Sequence, residues 1–315
     1  MSASPGSREP LRVLFLGLPF GVSALMLRHC LENGRDIGGV IVPANAVPHL
    51  TGKQPSAIRR LRPADNSSLP LAGIGDSLDM LGVGWESGVP VWAISDLNDP
   101  ALARLIIALK VDVAVVACFT RRIPASVLRV PRLGFLNYHP SLLPAYRGPV
   151  PLFWQLRDGA PTGVTIHWLD EGLDTGDLVA QTEVPFPDGC SGSQADRLLA
   201  QAGLRLIDDV LNDLTRGITF SQPQIGVGSY FSFPQPEDFC LSTAWTARQA
   251  FNFMRGTADW GRPYDLPIAG LRVSLSEAIS FDPAGRLSRP FEREGDRVMI
   301  NFTPGVLLAR ENRRS

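Results

Sequence analysis

LRVLFLGLPFGVSALMLRHCLENGRDIGGVIV, residues 11–42, decides the fold class. Residues 12–16 are an apolar run closed by Gly17, Val22, Leu25, Met26, His29 and Leu31 then recur near helical spacing, and residues 37–42 are a second apolar run. Strand, turn, helix and strand in that order open an α/β sheet. The alternation continues downstream. Asp99-Pro100 sets a capping acid before a proline at the first helical position, which predicts a helix over 100–110. VDVAVVAC at 111–118 is β-branched and apolar throughout, as a central strand covered on both faces should be. LGFLNY (133–138) and GVTIHWL (163–169) read as further strands, and leucines with Ile207 and Val210 mark a long amphipathic helix over 193–214. The expected architecture is α/β: a mostly parallel sheet with helices on both faces.

The texture changes after Arg216. GITFSQPQIGVGSYFSFPQP is broken by glycine and proline and reads as a linker. Beyond it a helical piece (245–255) and the short strands LRVSLS (271–276) and RVMINF (297–302) predict a smaller β-rich second domain. The expected division is therefore 11–215, a linker at 216–236, and 237–315. The stretch 43–90 shows little periodicity, and within it Lys53, Arg59, Arg60 and Arg62 stand without an acid between 51 and 64. That segment is either a solvated surface loop or part of a binding site.

Composition excludes several classes. With 315 residues, 44% hydrophobic and 19% charged, the chain has ample apolar surface to fold. A net charge of −1 argues against a dominant electrostatic binder of nucleic acid, although a local basic patch remains compatible with it. Two lysines against 28 arginines leave little scope for a Schiff-base mechanism. Four cysteines, widely separated, and four histidines without paired spacing predict no metal site. No apolar run is long enough to span a membrane, and the polar start lacks the order of a signal peptide, so a reduced cytoplasmic compartment is expected.

The chemistry is concentrated in residues 134–177, GFLNYHPSLLPAYRGPVPLFWQLRDGAPTGVTIHWLDEGLDTGD. Asn137 and His139 are two apart near the end of a strand, so they share a face. Pro140 stops the strand at the sheet edge where α/β proteins bind ligands. Asp174 sits in a loop flanked by Gly172 and Gly176. A carboxylate beside an imidazole favours the imidazolium, and an asparagine amide can donate to a developing oxyanion. Together these groups suit acyl transfer without a covalent enzyme intermediate. Each also has a plainer reading: Asn137 and His139 as structural groups at a strand end, Asp174 as a turn former. His167 could fill the site instead. Cys118, among Val, Ala and Phe, reads as a strand-core residue rather than a nucleophile.

N-x-H-P-S-L-L-P followed by Y-R-G, and later L-D-T-G-D, resembles the folate-dependent formyltransferases, a family that includes enzymes acting on methionyl-tRNA, on glycinamide ribonucleotide and on sugar nucleotides. The resemblance covers roughly residues 11–215. It implies a Rossmann-like catalytic domain, 10-formyltetrahydrofolate as co-substrate, and a catalytic set of Asn137, His139 and Asp174. It also implies folate contacts from the turn Ser141, Leu142, Leu143 and Pro144, and from Cys118, Phe119 and Asp170. Residues 246–266 resemble the start of the OB-like C-terminal domain of the methionyl-tRNA members, and the 51–64 segment lies where those members carry a basic loop. The resemblance thus implies charged initiator tRNA as acceptor, reached through Arg59, Arg60 and Arg62. AYRGPVPLFWQL, with Tyr146 and Trp154, departs from that pattern and is nearer the sugar-amine members, so a small amine is the alternative. A hydrolase of the formyl-folate and a non-catalytic folate-binding module are the further alternatives. A nicotinamide dehydrogenase is discounted because GLPFG at 17–21 replaces GxGxxG.

Overall fold

A computed structural model describes residues 10–47, 57–63 and 79–312. The elements run β1 (Arg12–Gly17), α1 (Val22–Glu32), β2 (Asp36–Pro43), β3 (Ile58–Leu61), α2 (Met80–Glu86), β4 (Val91–Ile94), α3 (Pro100–Ala108) and β5 (Val113–Ala117). Then come α4 (Ala125–Leu128), β6 (Gly134–His139), α5 (Pro151–Asp158), β7 (Gly163–Trp168), β8 (Leu178–Glu183) and α6 (Gly192–Arg216). The chain ends with α7 (Ala247–Gly256), β9 (Tyr264–Ile268), β10 (Leu271–Asp282), β11 (Phe291–Glu294), β12 (Arg297–Asn301) and β13 (Val306–Glu311).

The residues group into two compact units that interleave along the sequence. One comprises Met1–His139, Val164–Thr182 and Ala200–Val227, the other Pro140–Gly163, Glu183–Leu199 and Gly228–Ser315.

The first unit is built on an eight-stranded sheet of order β3-β4-β2-β1-β5-β6-β7-β8. It is Rossmann-like: β4, β2, β1, β5 and β6 pair in parallel, while β3 and β7 are antiparallel to their neighbours. Every residue of β5 is buried, as its uninterrupted apolar sequence requires of a strand covered on both faces. On one face Leu14, Leu16, Ala114, Val116 and Phe135 meet Leu102 and Ile106 of α3 and Val127 and Leu128 of α4. The Asp99 carboxylate accepts from the Ala101 amide at 2.7 Å and Pro100 follows it, so α3 begins where the sequence predicts. On the other face Gly203 of α6 presses on the Tyr138 ring, where a Cβ would stand 2.3 Å from ring carbon, so no larger residue fits. The strand order reverses between β1 and β5, and the carboxyl ends of strands at such a point form the usual ligand crevice. Ser23 braces that end by donating to the Ala117 carbonyl at 2.7 Å.

The irregular reading of 43–90 needs correction. Within its described residues, 58–61 form an edge strand and 80–86 a helix whose amino end is capped by Asp79. Both are too short, and Gly82 and Gly84 too disruptive, for periodicity to reveal them. Lys53 lies outside the described residues.

The second unit carries an antiparallel five-stranded sheet of order β11-β12-β13-β10-β9, with the strand number and open ladder of an OB-like domain. Its strands alternate: Tyr264 and Leu266, Val273 and Leu275, Val298 and Ile300, Leu307 and Ala309 all point into one core. Phe153 of α5 sits among the rings of Trp154, Phe239 and Phe253 at 5.2, 5.1 and 5.3 Å. Helix α5 starts on Pro151 and stops at a left-handed Gly159, a proline-in, glycine-out pattern.

The stretch 216–236 is irregular yet fastened at both ends. Gln222 and Leu178 exchange amide hydrogen bonds at 2.8 and 3.0 Å, and Arg147 and Phe231 are joined by a main-chain bond of 2.9 Å. Among the described residues no helix is long and apolar enough to cross a membrane.

Candidate active site

Strand β6 delivers Asn137 and His139 to the carboxyl edge of the sheet, on the face that also carries Phe135. Antiparallel pairing with β7 puts Asn137 opposite His167 and His139 opposite Thr165. Directly opposed residues share a face, and the Asn137 amide donates to His167 Nε2 at 3.1 Å. His167 Nδ1–H donates to the Trp168 carbonyl at 2.8 Å, which leaves Nε2 bare as the acceptor. Burial, aided by the charge of His139, pushes His167 down to about 4, while Asp174 acts in the opposite direction. His167 is therefore a neutral, fully enclosed acceptor at neutral pH. It occupies one N–H of Asn137 and leaves the second for another acceptor.

Asp174 comes from the loop between β7 and β8. The Asp170 carboxylate shapes that loop, accepting from the Gly172 amide at 2.9 Å and the Thr175 hydroxyl at 2.8 Å. Gly176 crosses Trp168 so closely that a Cβ would lie 1.9 Å from its carbonyl oxygen. Asp174 itself is left-handed, φ 55. The loop brings Asp174 Oδ1 to 3.7 Å from His139 Nδ1 and 3.8 Å from His167 Nε2. These are ion-pair separations, longer than a hydrogen bond. His139 is 4% exposed, so any charge on it is enclosed. The rings of His139 and His167 meet edge-on, 6.2 Å apart. An amide, an imidazole and a carboxylate thus converge, with a second imidazole behind the amide.

The other predicted positions fall as follows. Cys118 is exposed, one residue beyond β5 and left-handed at φ 54. Its strand-core reading is corrected: the apolar run carries the strand only to Ala117, and the backbone then turns. Phe119 packs against the apolar cluster beneath Asn137's face of the sheet. In the second unit Ser141 is buried and donates to the Ala145 carbonyl at 2.7 Å, closing the turn that holds Leu142, Leu143 and Pro144. Arg59 and Arg60 are exposed on β3, and Arg62 just beyond it. β3 is the far edge strand, five ladder steps from β6, roughly 24 Å at about 4.8 Å per strand. These cations are beyond reach of the groups around His139. Among the described residues no group of three or more His, Cys, Asp or Glu is placed to hold a metal.

Residues 68–210 match the formyl transferase family. The methionyl-tRNA formyltransferase of Pelotomaculum thermopropionicum is 31% identical over 252 residues, covering 79% of this chain and 73% of that one. This chain belongs to the folate-dependent formyltransferase family. A second relative of this formyltransferase, the methionyl-tRNA enzyme of Symbiobacterium thermophilum, is 28% identical over 308 residues, 96% of this chain and 87% of the other. Among solved structures, the N-formyltransferase from Helicobacter canadensis, in complex with folinic acid and dTDP-3-aminofucose, superposes with a TM-score of 0.66. That match covers 96% of this chain and 99% of the other at 14% identity, a likeness of fold.

Proposed function

We propose that this formyltransferase moves a formyl group from 10-formyltetrahydrofolate to the amine of methionyl-tRNA by direct attack, within a catalytic domain of residues 11–215 joined through 216–236 to a C-terminal domain of residues 237–315. The convergence of Asn137, His139 and Asp174 carries this reading. The folate supplies the activated formyl carbon. The amine nitrogen bonds to that carbon, the bond to N10 breaks, and one proton passes from the amine to N10. Asn137 offers its free N–H, and protonated His139 its own, to the oxygen on which charge develops. Donors held in place before reaction act mainly on the transition state. Asp174 supplies the counter-charge for an imidazolium at His139 and helps relay the proton. The turn Ser141–Pro144, with Cys118, Phe119 and Asp170, supplies the folate contacts.

A methionyl-tRNA formyltransferase that aligns over nearly the whole chain supports the tRNA acceptor. Arg59, Arg60 and Arg62 form no basic rim around His139, which counts against a tRNA contact beside the reacting groups; in this reading they would meet only phosphates far from the amine. The second reading is a small amine such as an amino-sugar nucleotide, favoured by the whole-chain fold likeness to the Helicobacter enzyme and by the AYRGPVPLFWQL segment. A screen of acceptors with 10-formyltetrahydrofolate tests both. Formylation of charged initiator tRNA and not of amino-sugar nucleotides is expected, and the reverse selects the second reading. Folate turnover without any amine would mark a hydrolase, and folate binding without turnover a binding module.

A further inference from the structure

The geometry points to Gln224 as a positioning residue of the formyl-transfer site, acting on Asp174 through its main chain. The inference rests on the catalytic reading above. Gln224 lies in the stretch that composition marks as a linker. Its side-chain amide donates to two carbonyls of the catalytic loop, that of Asp174 at 2.9 Å and that of Gly176 at 2.8 Å. An amide NH2 has two hydrogens, and here two loop carbonyls on either side of Thr175 take them. The neighbouring residues follow the same line. Gln222 and Leu178 bond to each other in both directions, and the Ser221 hydroxyl donates to Asp177 Oδ2 at 2.5 Å. Residues 221–224 are a strap laid along 174–178.

The strap has a reason to be there. Asp174 holds a left-handed backbone that a residue with a Cβ adopts reluctantly, and such a residue relaxes unless its surroundings over-determine it. Gln224 grips it at the carbonyl, a contact that does not use the carboxylate. Asp170 braces the same loop through Gly172 and Thr175. A displacement of about 1 Å at a catalytic group can cost on the order of 100-fold in rate.

The test compares Gln224→Met, which keeps the length and removes both donors, with Asp174→Asn and with the double variant. Gln224→Met should lower kcat about 10- to 100-fold and leave KM for the folate and the acceptor within about threefold. The double variant should be no slower than Asp174→Asn alone, because both changes act through one carboxylate. Gln224→Glu gives an independent readout. Ionised, it sets a carboxylate against two carbonyl oxygens; protonated, it donates to one of them, so its kcat relative to the parent should rise as pH falls. A Gln224→Met enzyme within about threefold of the parent, losses that multiply in the double variant, or a pH-independent Gln224→Glu ratio would overturn the proposal. An active Asp174→Asn enzyme would instead sink the catalytic reading and take the proposal with it.

Discussion

Replacing Asp174 by asparagine isolates the contribution of one charge. The two side chains have nearly the same shape, and asparagine tolerates the left-handed backbone found at this position. The fold and the loop should therefore survive. Asp174 Oδ1 stands 3.7 Å from His139 Nδ1, with side-chain exposures of 18% and 5%. At an effective dielectric constant of about 20, unit charges at that separation attract by about 4 kcal/mol. That attraction favours the imidazolium whose N–H meets the developing oxyanion, so its loss should lower kcat by up to about 1000-fold with little change in KM. The assay is tetrahydrofolate release at saturating formyl-folate and acceptor, with circular-dichroism melting to confirm folding. A folded Asp174→Asn enzyme within about threefold of the parent kcat would refute the charge-partner role.

Three further outcomes are expected. Stability should fall as pH drops from 6.5 towards about 4, because the unfolded chain takes a proton on His167 that the folded chain refuses; the loss is on the order of 3 kcal/mol, and urea titrations of parent and His167→Gln at pH 7 and 4.5 should show the larger drop in the parent. Gly176→Ala drives a methyl into the Trp168 carbonyl, costing about 1–3 kcal/mol; it should lower both melting temperature and kcat, and an unaltered enzyme would mean the loop does not hold Asp174. Changing Arg59, Arg60 and Arg62 together to Ala should raise KM for tRNA and flatten its salt dependence, by roughly 0.7–0.9 in the logarithmic slope for each phosphate no longer neutralised, and leave turnover of a small amine untouched.

Long uniform signals in the sequence correspond to the elements found. The apolar runs of β1, β2, β5 and β6, the capped start of α3 and the amphipathic pattern of α6 sit where the sequence puts them. Short or mixed elements did not announce themselves. β4 has four residues, β8 is only half-buried, and α5 has eight residues with a fully buried Gln155 among its apolar ones. The interleaving of the two units depends on packing, within each of them, between residues far apart in the chain, which no local pattern encodes. Within the site, period two and the motif pointed to Asn137 and His139. The role of His167 was hidden because the β6–β7 register alone sets it against Asn137. Gln224 was hidden more deeply: glycine and proline around it describe a linker, and only its two hydrogen bonds join it to the catalytic loop.

The most direct test of the central claim follows an isotopic label. With 10-formyltetrahydrofolate labelled in its formyl carbon, a single turnover of the parent enzyme should move the label onto the acceptor amine, and only when that amine is present. His139→Ala, folded to the same extent, should do so at least about 100-fold more slowly. Label appearing as free formate without an amine, or transfer by His139→Ala at the parent rate, would contradict the account.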